Sequence, residues 1–167
     1  MEFIDFIVYT LVYILFMPVL TIIHELGHAI PALIFTKYEV NINIGNSNLK
    51  KQIKLSRLII NINGYKSIMD VSYGYVNWTN VDNKLKSIIM IAGGPIASLC
   101  TSIVLYLSLY KIELPYLIII IFNGILLFSI GQFIVTILPI KYRNNTYKGF
   151  TSDGYKILQY LKIKNRI

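Results

Sequence analysis

Three stretches of this chain contain no Asp, Glu, Lys or Arg and are each long enough to cross a bilayer: Phe6 to His24, Ser87 to Tyr110 and Leu114 to Ile140. A spanning helix needs about 20 mostly apolar residues. Hydrocarbon offers the backbone no water to bond, so such segments must satisfy their own hydrogen bonds as helices. The expected fold class is therefore an all-α polytopic membrane protein with three transmembrane helices. The first helix is expected to run past His24 to about Phe35, with Pro18 as a kink site. The chain then reads as one membrane-embedded domain over 1–167. Its parts are a helix at 6–35, a strand-rich insert at 37–83, helices at 85–110 and 114–139, and a loop with a short helix at 140–167.

Composition supports lipid as the surrounding medium. The 167 residues are 55% hydrophobic and 14% charged, with a mean hydropathy of +0.60, which is high for a soluble domain. The net charge of +8 would suit nucleic acid if the bases formed a stripe interleaved with stacking aromatics. They do not, so nucleic-acid binding is not expected. Instead they gather in two blocks, Lys37 to Lys86 and Lys141 to Arg166, with only Lys111 between the second and third spans. The positive-inside rule makes both blocks cytoplasmic and puts the amino terminus outside. The acidic start, Glu2 and Asp5, lacks the basic region of a secretory signal, so the first segment is expected to be retained. Cys100 is the only cysteine, which excludes a disulfide within the chain and a cysteine metal cluster. Abundant Ile, Lys, Asn and Tyr point to an AT-rich bacterial genome, hence to a multi-pass protein of a bacterial inner membrane.

The insert between the first two spans reads as short strands. Val40, Ile42 and Ile44 alternate with Asn41 and Asn43, and Leu58–Gly64 and Val71–Val76 carry similar alternation with Asn and Gly punctuation. A small cytoplasmic β-hairpin or strand element is expected there. After the polar loop, a short amphipathic helix should carry Tyr155, Ile157, Leu158 and Leu161 on its apolar side.

The chemistry sits at His24-Glu25-Leu26-Gly27-His28, and these are the only two histidines in the chain. Residues four apart project from one helix face, so both imidazoles can reach one ion. Glu25 lies beside that ion, placed to exchange a proton with water. Zinc suits such nitrogen donors and lowers the pKa of bound water to about 7. The plain alternative is a pair of polar residues satisfied within a helix bundle, but ionisable groups clustered at membrane depth are costly and usually functional. A catalytic zinc usually takes three protein ligands, so an acid must complete the set. The acids outside the motif are Glu2, Asp5, Glu39, Asp70, Asp82, Glu113 and Asp153, of which Glu2, Asp5 and Glu113 fall on the far side. Asp153 has a plain alternative as the N-cap of the last helix. Gly93, Gly94 and Pro95, in Ala92–Ser98, either seat the second helix against the first and open backbone near the metal, or form an ordinary small-residue packing seam.

HELGHA at 24–29, AGGPIAS at 92–98 and LP…SDG at 138–154 occur in the order seen in site-2 proteases. The chain resembles that family of intramembrane metalloproteases, and its small bacterial members in particular, over roughly Phe6 to Leu161. The resemblance implies a three-helix catalytic core binding one zinc ion through His24, His28 and Asp153, with Glu25 as general base. It implies as substrate a membrane protein cut in or near a transmembrane segment. Extended segments beside the site would pair with an unwound substrate. One departure bears on activity. The family usually carries Asn three residues before the Pro of its third motif, where it helps position the substrate, and this chain has Thr136. Thr136, or Gln132 one turn earlier, would take over substrate or oxyanion positioning. The alternative is a weakened or inactive relative that binds metal or a partner without cleaving it.

Overall fold

In the computed structural model, the described residues are 3–45, 51–63, 74–142 and 149–162. They form four helices and one small sheet. Helix α1 covers Phe3–Phe35 and is continuous through Pro18 and Pro31. Helix α2 covers Lys84–Lys111, capped by the Asn83 side chain, which accepts from the Lys86 backbone N–H at 3.1 Å. Helix α3 covers Tyr116–Ile137 and α4 covers Asp153–Lys162. Prolines trim α3 at both ends relative to the expected 114–139. Pro115 lies just before its first residue, and Pro139, which disfavours helical geometry in the residue before it, follows its last turn.

Helices α1, α2 and α3 are each long and apolar enough to cross a membrane. Their most apolar stretches are only 22%, 33% and 17% buried within the protein. Leu15, Ile34, Val104 and Leu127 are among the outward-facing side chains. Apolar surface on that scale needs lipid or a partner to cover it, and fits insertion in a membrane.

Where α1 meets α2 the backbones touch. A Cβ added at Gly93 would overlap the Gly27 carbonyl oxygen, and one at Gly27 would stand 2.6 Å from the Ala97 Cβ. The small residues at 93, 94 and 97 thus bring α2 against the His-bearing turn of α1, the close approach that packing in lipid favours. On the other side, Val12 and Leu20 of α1 bury against Ile125 of α3.

The insert is a four-stranded mixed sheet, larger than a hairpin. Strands β1 (Val40–Ile44), β2 (Lys51–Leu55), β3 (Leu58–Ile62) and β4 (Gly74–Asn77) lie in the order β2-β3-β1-β4. β1 is parallel to β3 and antiparallel to β4, and β2 and β3 form a hairpin. Val40, Ile42 and Ile44 are buried on Ala29, Ala32 and Met90, while Asn43, Asn61 and Gln52 form a hydrogen-bonded row across β1, β3 and β2. This is the alternation expected of residues 40–44. β2 was not anticipated: every one of its residues is exposed, and an edge strand with two wet faces carries no burial pattern. Of the strand expected at 71–76, residues 71–73 lie outside the described residues. Arg57, in the β2–β3 turn, donates to the carbonyls of Thr36 at 2.6 Å and Leu33 at 3.0 Å. It thereby satisfies the orphan acceptors at the end of α1 and ties the sheet to it.

In α4, Tyr155 and Ile157 are half-buried, whereas Leu158 and Leu161, expected on the same apolar side, are exposed. The helix is held chiefly by its first turn against α3 and by its packing on α2.

Candidate metal centre

His24 and His28 stack edge-on, one helical turn apart, with ring centroids 5.0 Å apart. Both are buried, as is Asp153. The Asp153 Oδ2 lies 3.3 Å from Nε2 of His24 and 3.3 Å from Nε2 of His28. One donor atom from each of the three residues lies within 4.8 Å of the others. The chain therefore folds its distant DG segment back onto the turn that carries the two histidines.

Local structure explains why Asp153 is available. The cap of α4 is Ser152, whose Oγ accepts from the Tyr155 backbone N–H at 3.2 Å and the Ile140 N–H at 3.0 Å, and whose hydroxyl donates to the Leu138 carbonyl. With capping done by its neighbour, the Asp153 side chain is released toward the histidines. Gly154 has a steric role. A Cβ there would overlap the Ile137 carbonyl oxygen, so only glycine lets α4 start against the end of α3. Lys156 steadies the second carboxylate oxygen, Oδ1, at 3.2 Å. Burial pushes the Asp153 carboxyl up. The Lys156 ammonium beside it pulls the other way, toward the charged carboxylate.

The outer face of each imidazole is also engaged. His28 Nδ1 lies 2.9 Å from the Met90 carbonyl, and His24 Nδ1 lies 2.9 Å from Ser98 Oγ. A carbonyl only accepts, so Nδ1 of His28 carries the proton, although the Gly94 N–H also approaches it at 3.2 Å. Ser98 donates its hydroxyl hydrogen to Gln132 Oε1 at 3.2 Å, so it accepts from His24 Nδ1. Both neutral rings then turn an Nε2 lone pair inward. Two lone pairs and a carboxylate facing one another repel unless a positive charge lies between them. A proton can answer this for one pair, and a metal cation answers it for all three donors. Two donors about 2.0–2.1 Å from a tetrahedral ion stand about 3.3–3.4 Å apart, the separation seen for both imidazoles. Gly94 keeps the space open, since a Cβ there would overlap His28 Nε2 and stand 2.7 Å from His24 Nε2. A buried His24, His28 and Asp153 cluster able to hold a metal ion is thus present.

The cluster lies in a cleft of about 960 Å³ that Glu25 also lines. The cleft runs between α1 and α3 as far as Tyr9, Tyr13 and Gly124, about 16–23 Å along α1 from His24. β4, the end strand of the sheet, forms another wall through Gly74 and Val76. A Cβ at Gly74 would lie 2.8 Å from Glu25 Oε1, so the strand backbone passes directly against the Glu25 side chain.

The two positioning candidates differ. Thr136 lines the cleft, but its hydroxyl donates within its own helix, to the Gln132 carbonyl at 2.8 Å and the Phe133 carbonyl at 3.2 Å. Gln132 also lines the cleft, with its Oε1 committed to Ser98. Among the other acids, Glu39 pairs with Lys54 at 2.8 Å, and Asp70 lies outside the described residues. Sequence reasoning missed Ser98, the Met90 carbonyl and Lys156. For Ser98 a signal existed: it sits one turn beyond Gly94 and Pro95, on the side facing α1. Comparison with family models, curated proteins and solved structures returns no match to this chain.

Proposed function

We propose that this protein is a zinc-dependent endopeptidase of the site-2 protease kind, hydrolysing a peptide bond in or near a membrane segment of another protein. The supporting observation is the convergence of His24, His28 and Asp153 beside Glu25, in a cleft open along apolar helices. Two imidazoles and one carboxylate form a donor set typical of catalytic zinc. Zinc held there supplies a Lewis acid that polarises the scissile carbonyl and makes water acidic enough to be deprotonated near neutral pH. Glu25 accepts the proton from the attacking water and returns it to the departing amine nitrogen. The β4 edge offers backbone groups to an extended substrate beside Glu25, which suits a reaction that requires the target helix to unwind first. Gln132 contributes its carboxamide to the cleft wall. The proposed setting is a bacterial inner membrane, with the sheet and α4 on the cytoplasmic side.

A second reading has its own observation. Because the Thr136 hydroxyl donates into its own helix, it offers a substrate less than the Asn it replaces. A metal-binding relative that clasps a partner helix without cutting it would look the same. The test is cleavage of a co-expressed single-span membrane protein, repeated with purified components after chelation with 1,10-phenanthroline. The protease reading predicts cleavage that stops on chelation and returns with added zinc. Stoichiometric zinc without turnover on a panel of such proteins would favour the second reading.

A further inference from the structure

We infer that Gln132 and Ser98 are positioning residues for the metal centre, forming a relay that fixes the tautomer of His24. This rests on the metal reading above and extends it to groups that make no contact with the ion site. The relay links all three long helices: His24 Nδ1 of α1 to Ser98 Oγ of α2 at 2.9 Å, then Ser98 Oγ to Gln132 Oε1 of α3 at 3.2 Å.

Direction is the substance of the inference. A serine hydroxyl has one hydrogen. Given to Gln132 Oε1, it leaves the Ser98 oxygen to accept the His24 Nδ1 proton, and Nε2 keeps its lone pair for a cation. Were the Gln132 amide turned over, its NH₂ would donate to Ser98 and the hydroxyl would donate to Nδ1. The ring proton would then sit on Nε2, where it blocks a metal. With its Oε1 turned to Ser98, Gln132 therefore favours the metal-ready form of His24. His28 needs no such selector, because the Met90 carbonyl can only accept. Outer-shell partners of ligating histidines typically change metal affinity about 10–100-fold. Because Gln132 also lines the cleft, the wall that meets a substrate and the group that sets ligand readiness are one residue.

The experiment is a zinc titration of the purified full chain in detergent, in competition with a chromophoric chelator, with Co²⁺ absorption as a second readout of the ligand field. Gln132→Leu and Ser98→Ala should each weaken zinc binding about 10–100-fold. The double variant should be no weaker than the worse single one, because both break the same relay. Gln132→Glu supplies only acceptors at the same length, so it should hold zinc within a few-fold of wild type and keep the wild-type Co²⁺ spectrum. A merely structural role for Gln132 predicts instead that an extra charge at this half-buried position is at least as harmful as leucine. Ser108→Ala, a serine bonded only within α2, controls for the loss of a helix hydroxyl and should match wild type. The relay is overturned if Gln132→Leu binds zinc like wild type, or if Gln132→Glu binds as poorly as Gln132→Leu. A wild-type chain that binds no zinc overturns the metal reading and the relay together. Zinc bound equally by all variants overturns the relay alone.

Discussion

Glu25→Gln is expected to lower substrate cleavage by about 10²–10⁴-fold, the usual contribution of a positioned general base, while the protein still binds one zinc. The two outcomes separate because Glu25 is not among the converging donors. The amide has the size and shape of the carboxylate, so the tight passage of β4 past this side chain, with Gly74 against it, is undisturbed. The measurement pairs the rate of appearance of a cut membrane substrate with zinc content of the same preparation. Loss of both together would mean that Glu25 is holding the site rather than moving protons. Loss of neither would remove it from the mechanism.

Gly94→Ala is expected to abolish tight zinc binding while leaving the helices formed. The added methyl would overlap His28 Nε2 and crowd His24 Nε2, so it occupies the space the cation needs. The loss should exceed the about 10–100-fold that follows from losing an outer-shell partner. Alanine is a better helix former than glycine by about 1 kcal/mol, so helical content should not fall. Gly131→Ala is the matching control: nothing lies within 4 Å of a Cβ at that position, and this variant should hold zinc like wild type. Equal zinc affinity in Gly94→Ala and wild type would show that the ion, if any, sits elsewhere.

Much of the architecture was legible from the chain because the constraints on it are severe. A run without charges such as Leu114 to Ile140 has few solutions in lipid, and the helix expected at 114–139 lies within two residues of α3 at each end, where prolines trim it. Alternation at 40–44 survives because that strand buries one face completely. β2 escaped notice because it buries neither face, and the parallel pairing of β1 with β3 leaves no mark in either strand. At the site, the i, i+4 spacing of His24 and His28 carries its own geometry. Asp153 does not: its approach depends on α4 folding back 129 positions along the chain, on Ser152 taking the cap, and on Gly154 fitting against Ile137. Residue spacing alone left that choice of acid open. The roles of Ser98 and Gln132 were hidden for a related reason, since a hydrogen-bond direction depends on which partner each atom finds across three helices. Thr136 shows the converse, a plausible donor by its place in the chain whose hydroxyl turns back into its own helix.

The most direct test of the account is zinc K-edge X-ray absorption on the purified chain. It predicts one zinc per chain, with nitrogen and oxygen neighbours at about 2.0–2.2 Å, an imidazole scattering signature for two rings, and loss of that spectrum in Asp153→Ala. A chain that carries no zinc, or one whose zinc spectrum is unchanged by Asp153→Ala, would contradict it.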